Sequence, residues 1–368
     1  MIYKDYKGMK ISRLGLGCLR FPTVEGNENV IDRVKGQEII DMAMKSGINY
    51  FDTAYTYQDG DSERLVGEAL SKYPRDSYYL STKFYEASGK PIEEVFEEQL
   101  RRCQTDYFDF YMLHSMDEGF IDAYMDEEKG YLKYLLEQKK QARIRYLGFS
   151  SHAAPETLRR FLEWYSDFDM ALIQVNYVDW SLLDAKRQYD ILTEYKIPVW
   201  VMEPLKGGRL ASLNDEAAAI LKEALPQQSV SSWGFRFLMG LPNVQTILSG
   251  ISSPEQMADN LKTFSQEQPL NDEEKGILKK ARDVFMNEMG IPCSSCRYCC
   301  SICPNHLDIP LLIQGYNEKR ISGATWKITA LEKAKGPENC IQCGQCLKYC
   351  PQKIDIPRVM NEFKELMK

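Results

Sequence analysis

Between residues 14 and 250, short apolar runs bounded by turn residues alternate with stretches that have the periodicity of amphipathic helices. The runs are near-continuous rather than alternating, which is typical of parallel strands covered on both faces. Eight strand–helix units in this order predict an α/β fold, a (β/α)8 TIM barrel. The runs are LGLGC (14–18), NYFDTA (49–54), YYLSTKF (78–84), FDFYMLH (108–114), RYLGFSS (145–151), ALIQVNY (171–177), PVWVMEPL (198–205) and VQTILSG (244–250).

Three further segments complete the predicted organisation. The start, MIYKDYKGMKIS, has a Lys-Gly pair at its centre and predicts a short hairpin that closes the barrel bottom. The barrel is assigned to residues 1–265, and residues 266–289 predict an amphipathic connecting helix. Residues 290–368 predict a small helical domain whose helices have a proline near their first turn, in LDIPLLIQGYNEK and IDIPRVMNEFKELMK.

Eight of the 11 cysteines stand in two runs of the form C-x2-C-x2-C-x3-C-P, and each run is followed by Asp-Ile-Pro. This is the spacing of bacterial-type 4Fe–4S ferredoxins, in which the fourth cysteine of one run ligates the cluster of the other run. The sequence therefore predicts a ferredoxin-like domain with two 4Fe–4S clusters. One cluster takes Cys293, Cys296, Cys299 and Cys350, and the other takes Cys340, Cys343, Cys346 and Cys303.

Zinc and disulfides are the alternative interpretations of these thiols. Structural zinc sites typically use two pairs of ligands rather than this run repeated twice. A disulfide framework requires an oxidising compartment. Cys300 lies outside the repeated spacing and is interpreted as a packing residue.

Composition and charge narrow the classes of partner. The net charge of −7 gives no basic footprint for nucleic acid or for an anionic membrane surface. The sequence has no run of about 18 apolar residues, and its start lacks the apolar core of a secretory signal. We therefore expect a cytoplasmic protein, and in a reducing cytoplasm clustered cysteines bind metal more often than they form disulfides.

Polar side chains follow several of the predicted strands at the carboxyl end, where TIM barrels carry their active sites. Asp52 ends the second strand, Lys83 the third and His114 the fourth, and Tyr57 lies in the loop after the second. An ammonium near a phenol lowers a pKa that is ordinarily about 10. Lys83, neutralised by Asp52, would act on Tyr57 in this way. Tyr57 could then serve as general acid on a carbonyl oxygen that a neutral His114 orients.

The barrel sequence resembles the aldo-keto reductase family. The motifs that carry the resemblance are FDTAYTYQDGDSERLVGEAL (51–70), STKF (81–84), DFYMLHSMD (109–117), LGFSSH (147–152) and QVNY (174–177). The resemblance implies a (β/α)8 barrel that reduces a small aldehyde or ketone with NADPH, and it places the family's catalytic tetrad on Asp52, Tyr57, Lys83 and His114. With the cysteine domain, the whole chain resembles the ferredoxin-type aldo-keto reductases of anaerobes.

The resemblance also implies the cofactor contacts. Ser150 and Gln174 match the positions that hold the nicotinamide carboxamide, with Ser151 in place of the usual Asn, and Met202 stands where many members have a Tyr that stacks on the nicotinamide. The implied contacts to the adenosine phosphate, along LSGISSPEQMADNL (248–261), are Gly250, Ser252, Gln256 and Asn260. Gln256 stands where many members have an Arg that pairs with the 2′-phosphate, so NADP(H) and NAD(H) both stay open.

Three hypotheses for the function follow. In the first, the protein is a nicotinamide-dependent carbonyl reductase whose clusters are structural or regulatory. In the second, the clusters relay electrons between the barrel and an electron-transfer protein; because a nicotinamide moves two electrons and a cluster one, a flavin such as FMN would connect them. In the third, the protein is a non-enzymatic redox carrier or sensor, which the set Asp52, Tyr57, Lys83 and His114 disfavours.

Overall fold

A computed structural model describes residues 1–288, 290–322, 325 and 335–368. The chain forms two compact units, residues 1–204 with 231–273 and residues 205–230 with 274–368. The predicted domain bounds differ from these units most in segment 205–230, which the sequence pattern assigns to the barrel. The structure groups this segment with the cysteine-rich part of the chain.

The first unit contains a closed barrel of eight parallel strands, β3 and β6 to β12, in which each strand pairs with its neighbours along the chain. All eight predicted apolar runs form these strands, so the predicted TIM barrel is confirmed. The strands of the described residues are β1 Tyr3–Tyr6, β2 Met9–Ser12, β3 Leu14–Gly17, β4 Thr23–Val24, β5 Asn27–Ile31, β6 Tyr50–Asp52, β7 Tyr79–Phe84, β8 Phe108–Met116, β9 Ile144–Ser151, β10 Met170–Gln174, β11 Val199–Met202 and β12 Val244–Ser249.

Helices follow the barrel strands as the sequence period predicts. Within the described residues, no helix combines the length and apolarity needed to span a bilayer. The helices of these residues are α1 Arg33–Lys45, α2 Asp61–Leu70, α3 Ile92–Arg102, α4 Ile121–Met125, α5 Tyr131–Lys140, α6 Pro155–Trp164, α7 Asp179–Leu182, α8 Ala185–Glu194, α9 Asp215–Ala224, α10 Val230–Met239, α11 Pro254–Thr263, α12 Asp272–Glu288, α13 Tyr298–Ser301, α14 Ile309–Ser322 and α15 Ile356–Leu366.

The N-terminal hairpin closes one end of the barrel. Lys7 and Gly8 both have positive φ, 50° and 84°, and connect β1 to β2 in the backbone conformation that two-residue hairpins favour. Tyr6 is buried in the apolar cluster of the barrel interior, edge-on to Trp200, and its hydroxyl donates to the carbonyl of Asp169 at 2.7 Å. The opposite end, at the carboxyl ends of the strands, is therefore the end that can admit a ligand.

A second hairpin, β4 and β5, is absent from the sequence-based prediction. It is short and mostly exposed, so its residues lack the apolar alternation that signals a strand. This hairpin forms hydrogen bonds to the start of α2 and to the turn before it. The backbone N–H of Ile31 donates to Asp61 at the start of α2, and the side chain of Asn29 donates to Asp59 in the turn that follows Tyr57. The hairpin thereby supports the loop that carries a candidate catalytic residue.

The second unit contains the same helix N-terminal cap twice, as its sequence duplication predicts. Asp308 accepts a hydrogen bond from the N–H of Leu311 at the start of α14, and Asp355 accepts one from the N–H of Arg358 at the start of α15. Each helix has its proline in the first turn, where no backbone donor is needed. The two helices pack over an apolar core that includes the thiols of Cys299, Cys346 and Cys350.

Candidate active site and cluster-binding sites

Four side chains predicted to act together do meet at the open end of the barrel. Lys83 is fully buried, and its Nζ lies 2.6 Å from Oδ2 of Asp52 and 3.4 Å from the hydroxyl of Tyr57. The rings of Tyr57 and His114 are edge-on, with centroids 6.0 Å apart. The ammonium also donates to the carbonyl of Thr53 at 2.6 Å, so the buried charge is both paired and hydrogen-bonded.

Local backbone features position Tyr57 and His114. After Tyr57 the chain turns through Gln58 and Asp59 with φ of 45° and 53°, a left-handed conformation that costs side-chain-bearing residues on the order of 1–3 kcal/mol each. Gln58 stabilises the turn by donating from Nε2 to the carbonyl of Leu19 at 2.6 Å. In β8 the register shifts between Leu113 and Met116, and this bulge re-aims His114 at the strand end.

The protonation states of the site differ in one respect from the prediction. Burial, followed by the charge of Asp52, raises the pKa of Tyr57 well above its usual value, so the prediction of a lowered pKa for this phenol is wrong for the protein without ligands. A phenol with a raised pKa keeps its proton at neutral pH, as a general acid must. Burial and the nearby Lys83 hold the pKa of His114 well below its usual range, and its imidazole is neutral.

Next to the tetrad, a buried network holds the residues predicted to contact the nicotinamide. Asp179 is fully buried and accepts from Nε2 of Gln174 at 2.7 Å and from Nδ2 of Asn176 at 2.6 Å. Because Asp179 takes the amide nitrogen of Gln174, the amide oxygen faces the other way, where Nδ1 of His152 lies 3.1 Å from it. The sequence analysis missed Asp179, although an acidic residue just after a barrel strand is a signal that could have found it.

The two serines at the end of β9 are already engaged with backbone groups. The hydroxyl of Ser150 accepts from the N–H of Ser115 at 2.9 Å, and that of Ser151 accepts from the N–H of Ala153 at 3.0 Å. Met202, at the end of β11, packs against the apolar cluster of the barrel interior. The roles of these residues toward a nicotinamide stay predictions.

The predicted adenosine-phosphate contacts lie in the loop before α11 and within α11 itself. The N–H of Ser252 donates to Oε1 of Gln256 at 2.8 Å, and its hydroxyl donates to the carbonyl of Arg20 at 2.6 Å. Asn260 donates to Ser249 at the end of β12 at 2.9 Å. Gly250 leaves room for Arg20, since a Cβ there would lie 2.8 Å from Cγ of Arg20. Arg20 also lowers the pKa of Tyr57, though burial outweighs it.

The cysteines predicted to bind the second cluster line one concave site. We call Cys303, Cys340, Cys343 and Cys346 the second thiol site. All four line one cavity. Its other lining residues carry no charged side chain, and they include Leu307, Ile309 and Met360. Four thiols around an apolar, uncharged cavity fit a 4Fe–4S cluster.

The first run lies together with the fourth cysteine of the second run. We call Cys293, Cys296, Cys299 and Cys350 the first thiol site. Burial, together with Cys350 and Cys300, raises the pKa of the Cys293 thiol to about 11, and Cys299 interacts with both Cys293 and Cys296. Buried thiols of raised pKa carry protons that binding of iron must displace. Cys300 accepts a hydrogen bond from the N–H of Ile309.

Among the described residues, no group of three His, Cys, Asp or Glu side chains converges as the ligands of one metal ion do. A cubane differs from a single ion because its ligands bind separate iron atoms at its corners.

Comparison with known proteins identifies the family of the barrel. The sequence model of the Aldo/keto reductase family matches residues 13–283. The chain belongs to this family. A second model, the 4Fe-4S dicluster domain, matches residues 292–354, so this aldo-keto reductase carries a ferredoxin-like domain of the predicted ferredoxin-type subgroup.

Curated relatives of this aldo-keto reductase are moderately similar in sequence and cover most of its barrel. The uncharacterized oxidoreductase YqkF of Bacillus subtilis (strain 168) is 27% identical over 313 residues, which span 75% of this chain and 95% of that protein. The NADH-specific methylglyoxal reductase of Escherichia coli (strain K12) is 26% identical over 300 residues, 68% of this chain and 89% of that protein.

Solved structures show the same barrel. The aldo-keto reductase AKR11C1 from Bacillus halodurans, in its holo form, has a TM-score of 0.61 and 28% identity, and the match covers 74% of this chain and 93% of that one. An aldo-keto reductase from Klebsiella pneumoniae in complex with NADPH has a TM-score of 0.59 and 20% identity, covering 77% and 96%, and at this identity it shows the fold alone.

Proposed function

We propose that this aldo-keto reductase reduces the carbonyl group of a small molecule with hydride from NADH or NADPH, and that Tyr57 donates the proton. The observation that carries the proposal is the position of Lys83, 2.6 Å from Asp52 and 3.4 Å from the hydroxyl of Tyr57. A buried ammonium is costly unless it is paired, and a purely structural barrel would not need one beside a phenol at its open end.

The residues present fit a nicotinamide and divide the proton chemistry among themselves. The cofactor, when bound, supplies the hydride that adds to the carbonyl carbon. Tyr57 gives its phenolic proton to the carbonyl oxygen, which completes the alcohol. Lys83 stabilises the phenolate that remains, and Asp52 holds that ammonium in place. His114 is neutral and can donate a hydrogen bond that orients the carbonyl.

Gln256 argues for NADH as the hydride donor. Its Oε1 accepts from the backbone N–H of Ser252, and an amide has no positive charge to pair with a 2′-phosphate. A hydrogen bond to a charged group contributes about 1.5–3 kcal/mol. We therefore expect Gln256→Arg to raise kcat/KM for NADPH relative to NADH by roughly tenfold or more. Steady-state kinetics with both nucleotides measure this ratio. An unchanged ratio would mean that the 2′-phosphate of NADPH does not contact residue 256.

We also propose that the two thiol sites bind one 4Fe–4S cluster each. The match to a dicluster domain supports this, as does the arrangement of the four thiols of the second thiol site around one cavity. Each site supplies four thiols, the ligand set of a 4Fe–4S cluster. The clusters, when bound, can exchange single electrons with an electron-transfer protein.

The function is tested with anaerobically purified holoprotein. We expect it to oxidise NADH when an α-ketoaldehyde such as methylglyoxal, the substrate named for the Escherichia coli relative, is supplied. The alcohol product should form in equal amount to the nicotinamide oxidised. Nucleotide oxidation without a matching alcohol would contradict carbonyl reduction.

A second candidate function, electron relay between the clusters and the barrel, is favoured by the dicluster domain itself. Relay from a two-electron hydride donor to one-electron clusters calls for a flavin such as FMN. The same preparation distinguishes the two functions. Released FMN, with reduction of the clusters by NADH, would support relay, and a flavin-free protein that reduces the aldehyde would support the first function.

A further inference from the structure

The second unit includes a short loop, residues 206–209, which the sequence pattern assigns to the barrel. Gly207 in this loop has φ of 64°, and a Cβ on it would lie 2.5 Å from the carbonyl oxygen of Ser294. Ser294 follows the cluster ligand Cys293 directly. The backbone of the loop therefore lies against the backbone of the first thiol site, at a distance that only glycine permits.

Lys206 fixes the loop to the other end of the same site. Its side chain is fully buried, and its Nζ donates to Oε1 of Gln352 at 2.7 Å. Gln352 is itself buried and stands two residues after Cys350, the fourth thiol of the first site. A lysine is rarely fully buried, since an ammonium loses its hydration there. Lys206 therefore places a positive charge beside the peptide that carries Cys350.

Arg209 adds a second charge on the side of Cys293. Arg209 is half-buried, and its guanidinium interacts electrostatically with Cys293. Two cations of one loop thus flank the first thiol site, one near its first cysteine and one near its last.

The second thiol site has a different environment. Of the described residues that line its cavity, none is a lysine or an arginine. Cys343 is exposed to solvent, whereas the four thiols of the first site are buried or half-buried. The reduction potential of a 4Fe–4S cluster depends on nearby charge, on hydrogen bonds to its sulfurs and on solvent exposure. The two duplicated ligand sets are therefore chemically inequivalent.

We propose that Lys206 and Arg209 raise the reduction potential of the cluster in the first thiol site above the potential it would have without them. The inference rests on the proposed binding of two clusters. Reduction of a cluster by one electron adds one negative charge at a site partly shielded from water, where nearby cations stabilise it strongly. Lys206 and Arg209 are tuning residues, because neither ligates iron nor contacts the carbonyl substrate.

The test is an anaerobic redox titration of the holoprotein with dithionite as the electron donor, followed by electron paramagnetic resonance. We expect Arg209→Gln to lower the equilibrium constant for reduction of one cluster by roughly tenfold, which is about 59 mV for a one-electron couple. The other cluster should keep its potential. Lys206→Met should shift the potential of the same cluster in the same direction. Cys346→Ser removes the second thiol site, so Arg209→Gln in that variant shows which cluster gives the shifted signal.

Two further variants separate charge from packing. Arg209→Lys keeps the charge and should retain the potential. Arg282→Gln removes a charge that is paired with Asp283 on α12, and it should shift neither potential. Unshifted potentials in both Arg209→Gln and Lys206→Met would overturn the inference, as would an equal shift in Arg209→Lys. Iron and sulfide are counted first. A wild-type protein without iron would contradict the proposed binding of clusters, whereas an iron-loaded protein with unshifted potentials would contradict only the inference on Lys206 and Arg209.

Discussion

Replacing Tyr57 by phenylalanine is expected to lower kcat for carbonyl reduction by roughly 10²–10⁴-fold, the usual contribution of a general acid. The hydroxyl of Tyr57 lies 3.4 Å from Lys83, which is a long hydrogen bond, so its loss should change the free energy of unfolding little. Nicotinamide binding, measured by fluorescence titration, should be retained because the phenol acts on the substrate oxygen. The rate loss should therefore appear in kcat rather than in the dissociation constant of the cofactor.

Tyr73→Phe is the matched control for this substitution. Tyr73 follows α2 and donates its hydroxyl to Asp41 at 2.7 Å, outside the tetrad. Its variant should keep the wild-type kcat. If Tyr57→Phe also kept more than half of the wild-type kcat, another group would have to supply the proton.

The raised pKa of Tyr57 gives the same experiment a pH signature. The acid form is required for reduction, and burial keeps the phenol protonated beyond its usual pKa. The rate should therefore stay level from neutral pH to about pH 9 instead of falling as it would with a lowered phenol pKa. His114 contributes no fall in this window because its pKa is lowered and it is already neutral.

Replacing Cys346 by serine is expected to remove one of the two clusters. Cys346 lines the cavity of the second thiol site and is buried in the core of its unit. Iron and sulfide should fall from about eight of each per chain to about four, since each cluster contains four. Because a bound cluster stabilises the fold that binds it, the urea midpoint of this unit should also fall. Chemical analysis and the visible spectrum measure the first effect.

Cys300→Ser provides the control within the same run of cysteines. Cys300 interacts with its neighbour Cys299 and accepts from the N–H of Ile309, but it lies outside the repeated spacing. We expect its variant to bind both clusters. Loss of iron in Cys300→Ser, with full iron in Cys299→Ser, would mean that the ligand of the first thiol site was misassigned between these two neighbours.

The raised pKa of Tyr57 changes how the tetrad is to be understood. The sequence places an ammonium near a phenol, and from that pair alone a lowered pKa follows. The structure adds what the pair cannot show: the carboxylate of Asp52, the loss of water around the phenol and the nearby Glu203 all act in the opposite direction. In the protein without ligands, these effects keep the phenol protonated although the ammonium of Lys83 lies 3.4 Å from it.

Several parts of the site could be predicted because they depend on short-range pattern. The period of the apolar runs identifies the barrel, and the barrel places Asp52, Lys83 and His114 at one end, whatever the details of packing. Arg20 was missed for the opposite reason, because its carbonyl accepts from Ser252, 232 residues along the chain, and such a contact leaves no periodic signal. Asp179, which fixes the amide of Gln174, does have a local signal in its place just after a barrel strand.

The sequence by itself determined the barrel, the position of the tetrad residues on strands and loops, and the duplicated cysteine spacing, because each of these is written in local period or spacing. Tertiary structure alone decided that Lys206 meets Gln352 and that Gly207 lies against Ser294. It also decided the proton state of Tyr57. These outcomes depend on which distant segments share a low-dielectric interior, where desolvation and paired charge set the energies.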